Sequence, residues 1–202
     1  MKVALVGASG NAGSRILKEL SHRGHGVTAI ARHPEKIAAL ANVTAVKGDA
    51  TDRDALAALL KGHDAVVGSL RFGDGAPKLL LEAVRAAGVK RYLVVGGAAS
   101  LEVAPGKRLL DTPEFPAAYK VEASAAAAYL DILKGVSDLD WTFLSPSALF
   151  VAGERTAKFR LGTDQLLTGE NGSRISYEDY AIALADEIET PRHIRRRFTV
   201  GY

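Results

Sequence analysis

Short apolar runs and longer stretches of helical period alternate along this 202-residue chain. Val3, Ala4, Leu5 and Val6 form the first apolar run and read as a buried strand. Ile16, Leu17 and Leu20 then share one face of a helix that Gly24 ends. The same reading gives strands at 27–31, 43–46, Ala65–Gly68, 92–95 and 139–144. Between them it predicts a short helix over 34–40 opened by Pro34 and a helix carrying Leu56, Leu59 and Leu60 closed by Gly62. A third, clearly two-faced helix spans Ala76–Ala87, with Leu79, Leu80 and Val84 inward and Lys78, Glu82 and Arg85 outward. Residues 101–115 lack a period and hold Pro105, Gly106 and Pro113, so a long loop is expected there; the alanine-rich stretch 117–134 reads as a long helix. Residues 149–174 carry glycines at 153, 162, 169 and 172 and read as loop with short β pieces, Asn171-Gly172 making a hairpin turn. Ser176, with Asp179 three residues on, caps a last helix over Tyr177–Glu189, and 198–200 supply a final strand. Strand and helix alternating through the first 145 residues predict an α/β fold, a Rossmann-like doubly wound parallel sheet.

Between the first strand and the first helix stand Gly7, Gly10 and Gly13. Free N–H groups at a helix N-terminus, with its partial positive charge, seat a pyrophosphate, and a Cβ there would hold the ligand off. The spacing is GxxGxxG, placed on a strand-to-helix turn as dinucleotide binding requires.

In an open parallel sheet ligands bind off the carboxyl ends of the strands, so the residues after each strand are the candidates. After the first lie Gly7, Ala8, Ser9, Gly10, Asn11 and Ala12; after the second lies Arg32, with Lys36 one turn later. An acid at that place suits the ribose hydroxyls of NAD, whereas a guanidinium forms charge-assisted bonds to a 2′-phosphate, so Arg32 argues for NADP(H) over NAD(H). Asp49 and Ala50 are placed for the adenine edge, and Asp49, Thr51 or Asp52 for capping the next helix. Ser69 and Leu70 are placed for the adenosine and ribose side. Gly97 and Ser100 border a nicotinamide site, and Ser145 and Pro146 offer backbone groups to a carboxamide. Tyr119 and Lys120 are the candidate proton donor and its neighbour, but no YxxxK pair exists, and adjacent helical positions diverge by about 100°.

Composition narrows the chemistry. With 48% hydrophobic residues, no apolar stretch of about eighteen residues and no charged leader before the first strand, the chain is expected to be soluble and cytoplasmic. The absence of cysteine excludes disulfides, thiolate nucleophiles and thiolate metal sites, and the five histidines show no metal-ligand spacing. The net charge is +3, and the cationic run 192–197 has no interleaved aromatics, which favours a solvated connector over a nucleic-acid surface.

The glycine turn, Arg32, the stretch 48–52 and Tyr119-Lys120 together resemble the atypical short-chain dehydrogenase/reductases of the NAD(P)H-binding, NmrA-like group. Within it the chain is most similar to the small bacterial NADH-flavin reductase-like proteins and, more distantly, to biliverdin reductase B. Residues 140–148, 153–156, 164–166 and 173–181 carry the likeness through the C-terminal half. The resemblance implies one Rossmann domain over 1–202, residues 149–190 forming a small lobe over the nicotinamide. It also implies a reductase that passes hydride from NADPH to a flavin (FMN, FAD or riboflavin), a quinone or a similar flat acceptor, acting as monomer or homodimer. The cofactor carries that chemistry, so a missing YxxxK pair is compatible with it. An NADP(H)-bound sensor without turnover and a nucleotide-sugar epimerase or dehydratase are the other readings.

Overall fold

The computed structural model describes all residues, Met1–Tyr202. The apolar runs become β1 (Lys2–Val6), β2 (Gly26–Ala31), β3 (Val43–Lys47), β4 (Ala65–Gly68), β5 (Arg91–Val95) and, after β6 (Glu102–Ala104) and β7 (Lys107–Arg108), β8 (Asp140–Pro146). The C-terminal quarter adds β9 (Leu149–Val151), β10 (Arg160–Gly162), β11 (Arg174–Ser176) and β12 (Arg196–Gly201). The helices are α1 (Asn11–His22), α2 (Arg53–Leu60), α3 (Ala76–Ala87), α4 (Lys120–Lys134) and α5 (Tyr177–Glu189). One eight-stranded sheet runs β3-β2-β1-β4-β5-β8-β12-β10, every pairing parallel except that of β10 with β12. Strand order reverses at β1, whose neighbours are β2 and β4, and this reversal opens the ligand crevice of doubly wound sheets.

Both faces of the sheet are covered, which is why β4 and β5 are buried at every position. On one face Leu56, Leu80, Val84, Tyr129, Trp141 and Phe143 pack beneath α2, α3 and α4; on the other Val3, Leu5, Ile16, Leu20, Tyr180 and Leu184 pack beneath α1 and α5. Buried aromatic polar atoms in these layers are paired, the Tyr180 hydroxyl donating to Leu144 O at 2.7 Å and the Trp141 indole to Val136 O at 3.0 Å, whereas Ser145 Oγ and Arg91 Nε have no partner.

Four local expectations are corrected. The helix over 34–40 is a single tight turn, Pro34–Lys36; Ile37 is extended, and Ile37 and Leu40 pack onto the α1 side of the core, so burial overrides helix propensity. The loop 101–115 contains the hairpin β6–β7, turned by Gly106 at φ +71°, followed by a tight turn at Leu109–Asp111. Residues 117–119 wind as a tighter turn before α4 begins at Lys120. The hairpin turn near Asn171 is centred one residue early, with Gly169 and Gly172 bridged around Glu170-Asn171. Ser176 does cap α5, accepting from the Asp179 amide at 3.0 Å. The cationic run 192–197 leads from α5 into β12, whose first residues are Arg196 and Arg197, and acids hold part of it: His193 bonds Glu187 at 2.8 Å and stacks on Phe198, Arg195 pairs with Asp140, and Arg197 pairs with Asp164.

Candidate functional site

The glycine turn separates into packing and opening. Gly7 sits at φ +86°, and a Cβ there would lie 2.1 Å from the Ser69 carbonyl oxygen. A Cβ on Gly13 would lie 2.1 Å from the Gly7 carbonyl oxygen. Those two glycines are demanded by the protein itself. Gly10 is different: its Cβ would meet nothing nearer than Gly7 O at 3.4 Å, an ordinary contact, so the chain does not need a glycine there for its own packing. Gly10 also caps α1 without a side chain, no acid stands in the first turn, and the amides of Asn11, Ala12 and Gly13 have no acceptor in the protein. By contrast Asp52 caps α2 and Ser176 caps α5. An open helix start with three unpaired amides and no Cβ at its cap fits a pyrophosphate.

The neighbouring strand ends gather the other nucleotide candidates. Arg32, after β2, is exposed and its guanidinium has no hydrogen bond or ion pair in the protein. Asp49, after β3, accepts the Thr51 amide at 2.9 Å and the Thr51 hydroxyl at 2.8 Å. These bonds, with a smaller contribution from the Arg32 charge, hold its carboxyl below the usual range. Asp49 therefore fixes its own turn, while Asp52 caps α2 by accepting the Ala55 amide at 3.0 Å. Ala50 is buried, and Ser69 is anchored through its amide to Val6 O at 2.9 Å.

Off the ends of β5 and β8 opens an apolar cleft of about 680 Å³ in which 14 of 20 lining residues are hydrophobic. Leu70, Phe72, Gly97, Phe115, Ala123 and Phe150 build its walls. Leu70 also lies beside Gly7, so the cleft and the glycine turn share a wall. The Glu122 carboxylate accepts the amides of Phe72 at 2.7 Å and Gly73 at 2.9 Å, which fixes the β4–α3 loop at the cleft edge.

The catalytic candidates are not brought together. Tyr119 stands at the cleft, 66% exposed, and the position four residues on is Ala123, also in the wall. Lys120 is exposed and outside the lining. The Ser100 hydroxyl accepts from Arg197 at 3.0 Å and does not reach the cleft. Ser145 is fully buried, its carbonyl already accepting the Thr199 hydroxyl at 2.9 Å, and Pro146 pairs with Val200 in the sheet. Phe72, Phe115, Glu122 and Phe150 were not singled out by the sequence; only the length of the loop 101–115 hinted at a wall there. No group of three or more acids or histidines is arranged to hold a metal.

A doubly wound sheet with an open glycine-lined helix start at its switch point defines a nucleotide-binding protein of the Rossmann class. The chain belongs to the NAD(P)H-binding family, whose model matches residues 7–191. Among solved structures it is similar to a Burkholderia pseudomallei protein named "Putative exported protein" (48% identical, 100% of each chain, TM-score 0.91). It is also similar to a "putative epimerase" from Bacteroides thetaiotaomicron (41%, 100% of this chain and 96% of that one, TM-score 0.95). A third is a "putative NADH-flavin reductase" from Streptococcus pneumoniae (37%, 100% and 99%, TM-score 0.86). No helix is long and apolar enough to cross a membrane.

Proposed function

We propose that this chain is an NAD(P)H-dependent reductase that passes hydride to a flat acceptor such as a flavin or quinone, with NADP(H) preferred. The observation that carries this reading is the apolar cleft sharing its Leu70 wall with the glycine turn. Bound along the strand ends, the cofactor supplies the hydride. The protein's share is to hold and orient. Gly10 with the Asn11 and Ala12 amides takes the pyrophosphate, and Arg32 the 2′-phosphate. Asp49 and Ala50 face the adenine, and Ser69 and Leu70 the ribose. Gly97, in the cleft wall, faces the nicotinamide. The apolar walls press a flat ring against the nicotinamide and exclude water, which is the orientation such a transfer needs.

The name of the Bacteroides relative points to an epimerase instead, and in that reading the substrate is a nucleotide sugar. Ala123 stands where a tyrosine-lysine pair would need its lysine, and the walls are apolar where a sugar would need polar partners; both count against that reading. The test is oxidation of NADPH by the purified protein with riboflavin, FMN or a benzoquinone. Acceptor-dependent oxidation is the expected result, and NADPH binding with no oxidation above background would transfer the case to a sensor. Arg32→Asp should cost NADPH about ten- to a hundredfold in affinity, the worth of a charge-assisted bond, and change NADH little. Equal losses for both would overturn the 2′-phosphate assignment.

A further inference from the structure

The chain carries 26 lysines and arginines against 23 acids, yet none of its lysines, arginines or histidines lines the apolar cleft. The two charged residues in the lining are acids, Glu114 and Glu122. Glu122 is committed to the Phe72 and Gly73 amides, and the nearest cation to it, Arg71, lies 4.0 Å away with its side chain 84% exposed to water. Glu114 is exposed and has no ion-pair partner. The amides of Gly97, Ala98 and Ala99, in the same lining, have no acceptor in the protein, but they are neutral backbone dipoles and bring no positive charge to the cleft. A net-positive protein therefore presents an acceptor pocket that is apolar with a negative side.

Resting on the reductase reading above, we infer that the acceptor is a flat ring without an anionic group, and that the cleft discriminates against phosphate-bearing flavins. Riboflavin, uncharged quinones and cationic phenazinium dyes fit this chemistry; FMN and FAD share the flavin ring but bring phosphate into a site with acids and no cation. In turnover the reduced cofactor loses a hydride and becomes oxidised. The acceptor gains that hydride and one proton from solvent, forming the dihydroflavin or hydroquinone. Because Glu114 is exposed, its repulsion is partly screened, so the effect is a preference of several-fold and depends on salt.

Riboflavin and FMN form the decisive pair because they differ only by the phosphate. Quenching of their fluorescence, titrated with the whole protein in saturating NADP+, reads binding without turnover. Riboflavin should bind about five- to tenfold more tightly than FMN at ~10 mM salt, the gap shrinking to about twofold by ~0.5 M. Glu114→Lys should narrow or reverse the low-salt ratio. Equal or tighter FMN binding, a ratio insensitive to both salt and Glu114→Lys, or failure of both flavins to bind would each overturn the inference. The expected binding order without NADPH oxidation would leave this inference standing and overturn the reductase reading.

Discussion

The three turn glycines differ in what they serve, and substitution should separate them. Gly13→Ala drives a methyl to 2.1 Å from the Gly7 carbonyl, so α1 must shift off β1; a loss of about 1–3 kcal/mol is expected by thermal or denaturant unfolding. Gly10→Ala meets only an ordinary 3.4 Å contact, so the apoprotein should lose no more than about 1 kcal/mol, the cost of alanine at a helix N-cap. Its affinity for NADPH should nonetheless fall about tenfold or more, because the methyl occupies the space where a pyrophosphate approaches the Asn11 and Ala12 amides. A Gly10→Ala protein that binds the cofactor normally would remove the pyrophosphate from that helix end. Tyr119 offers a second contrast. A proton-donating tyrosine contributes about 10²–10⁴-fold to rate, whereas a wall residue at a site fed by solvent protons contributes little. Tyr119→Phe should keep acceptor-dependent oxidation within about threefold; a loss of two orders of magnitude would make Tyr119 an acid and reopen carbonyl or epimerase chemistry.

The α1–α5 contact is the element pair most dependent on charge. Arg23, the C-cap of α1, reaches Glu19 at 2.8 Å, Asp186 at 2.7 Å and Glu189 at 2.8 Å, and Arg155 joins Glu19 at 2.9 Å. Burial alone would raise the Glu19 carboxyl, but the hydrogen bonds from Arg155 and Arg23 outweigh it and hold it below its ordinary 4.5. Glu189 is lowered in the same way, against burial, by His25 and Arg23. A carboxyl whose folded value is depressed contributes stability that is present above its unfolded value and is lost as pH falls through the folded one. Unfolding free energy should thus hold above pH about 4.5 and drop below it, and Glu19→Gln should flatten that acid slope while lowering stability at neutral pH. An unchanged slope would remove Glu19 from the acid response. This helix pair also shows what the sequence made legible. The apolar face of α1, the span of α5 and its Ser176 cap follow from spacing alone, as does the glycine turn. The β9–β11 pairing, the β6–β7 hairpin and the cleft walls do not, because strands of two or three residues have no measurable period and Phe72, Phe115 and Phe150 come to one cleft only through tertiary packing.

At the scale of the whole molecule, the C-terminal quarter is woven into the sheet and not merely laid over it. β12 lies between β8 and β10, and nine of the 22 residues in the core beneath α1 and α5 come from 175–200. Uncovering six of the larger ones, Ile175, Tyr180, Leu184, Ile188, Phe198 and Val200, forfeits roughly 10 kcal/mol or more at about 1.5–3 kcal/mol each. That is comparable with the entire stability of a domain, about 5–15 kcal/mol. The cut would also remove the ion pair that ties β5 to α5, in which the 9% exposed Arg91 side chain donates to Glu187 at 2.9 Å. We therefore expect one cooperative unit over 1–202 and not a free-standing nucleotide domain with a detachable lobe. The full chain should unfold in a single transition reported alike by far-UV circular dichroism and by the fluorescence of Trp141, the lone tryptophan. A fragment ending at Ala148 should lack that transition and bind no NADPH, whereas a folded, cofactor-binding fragment would divide the chain into two units.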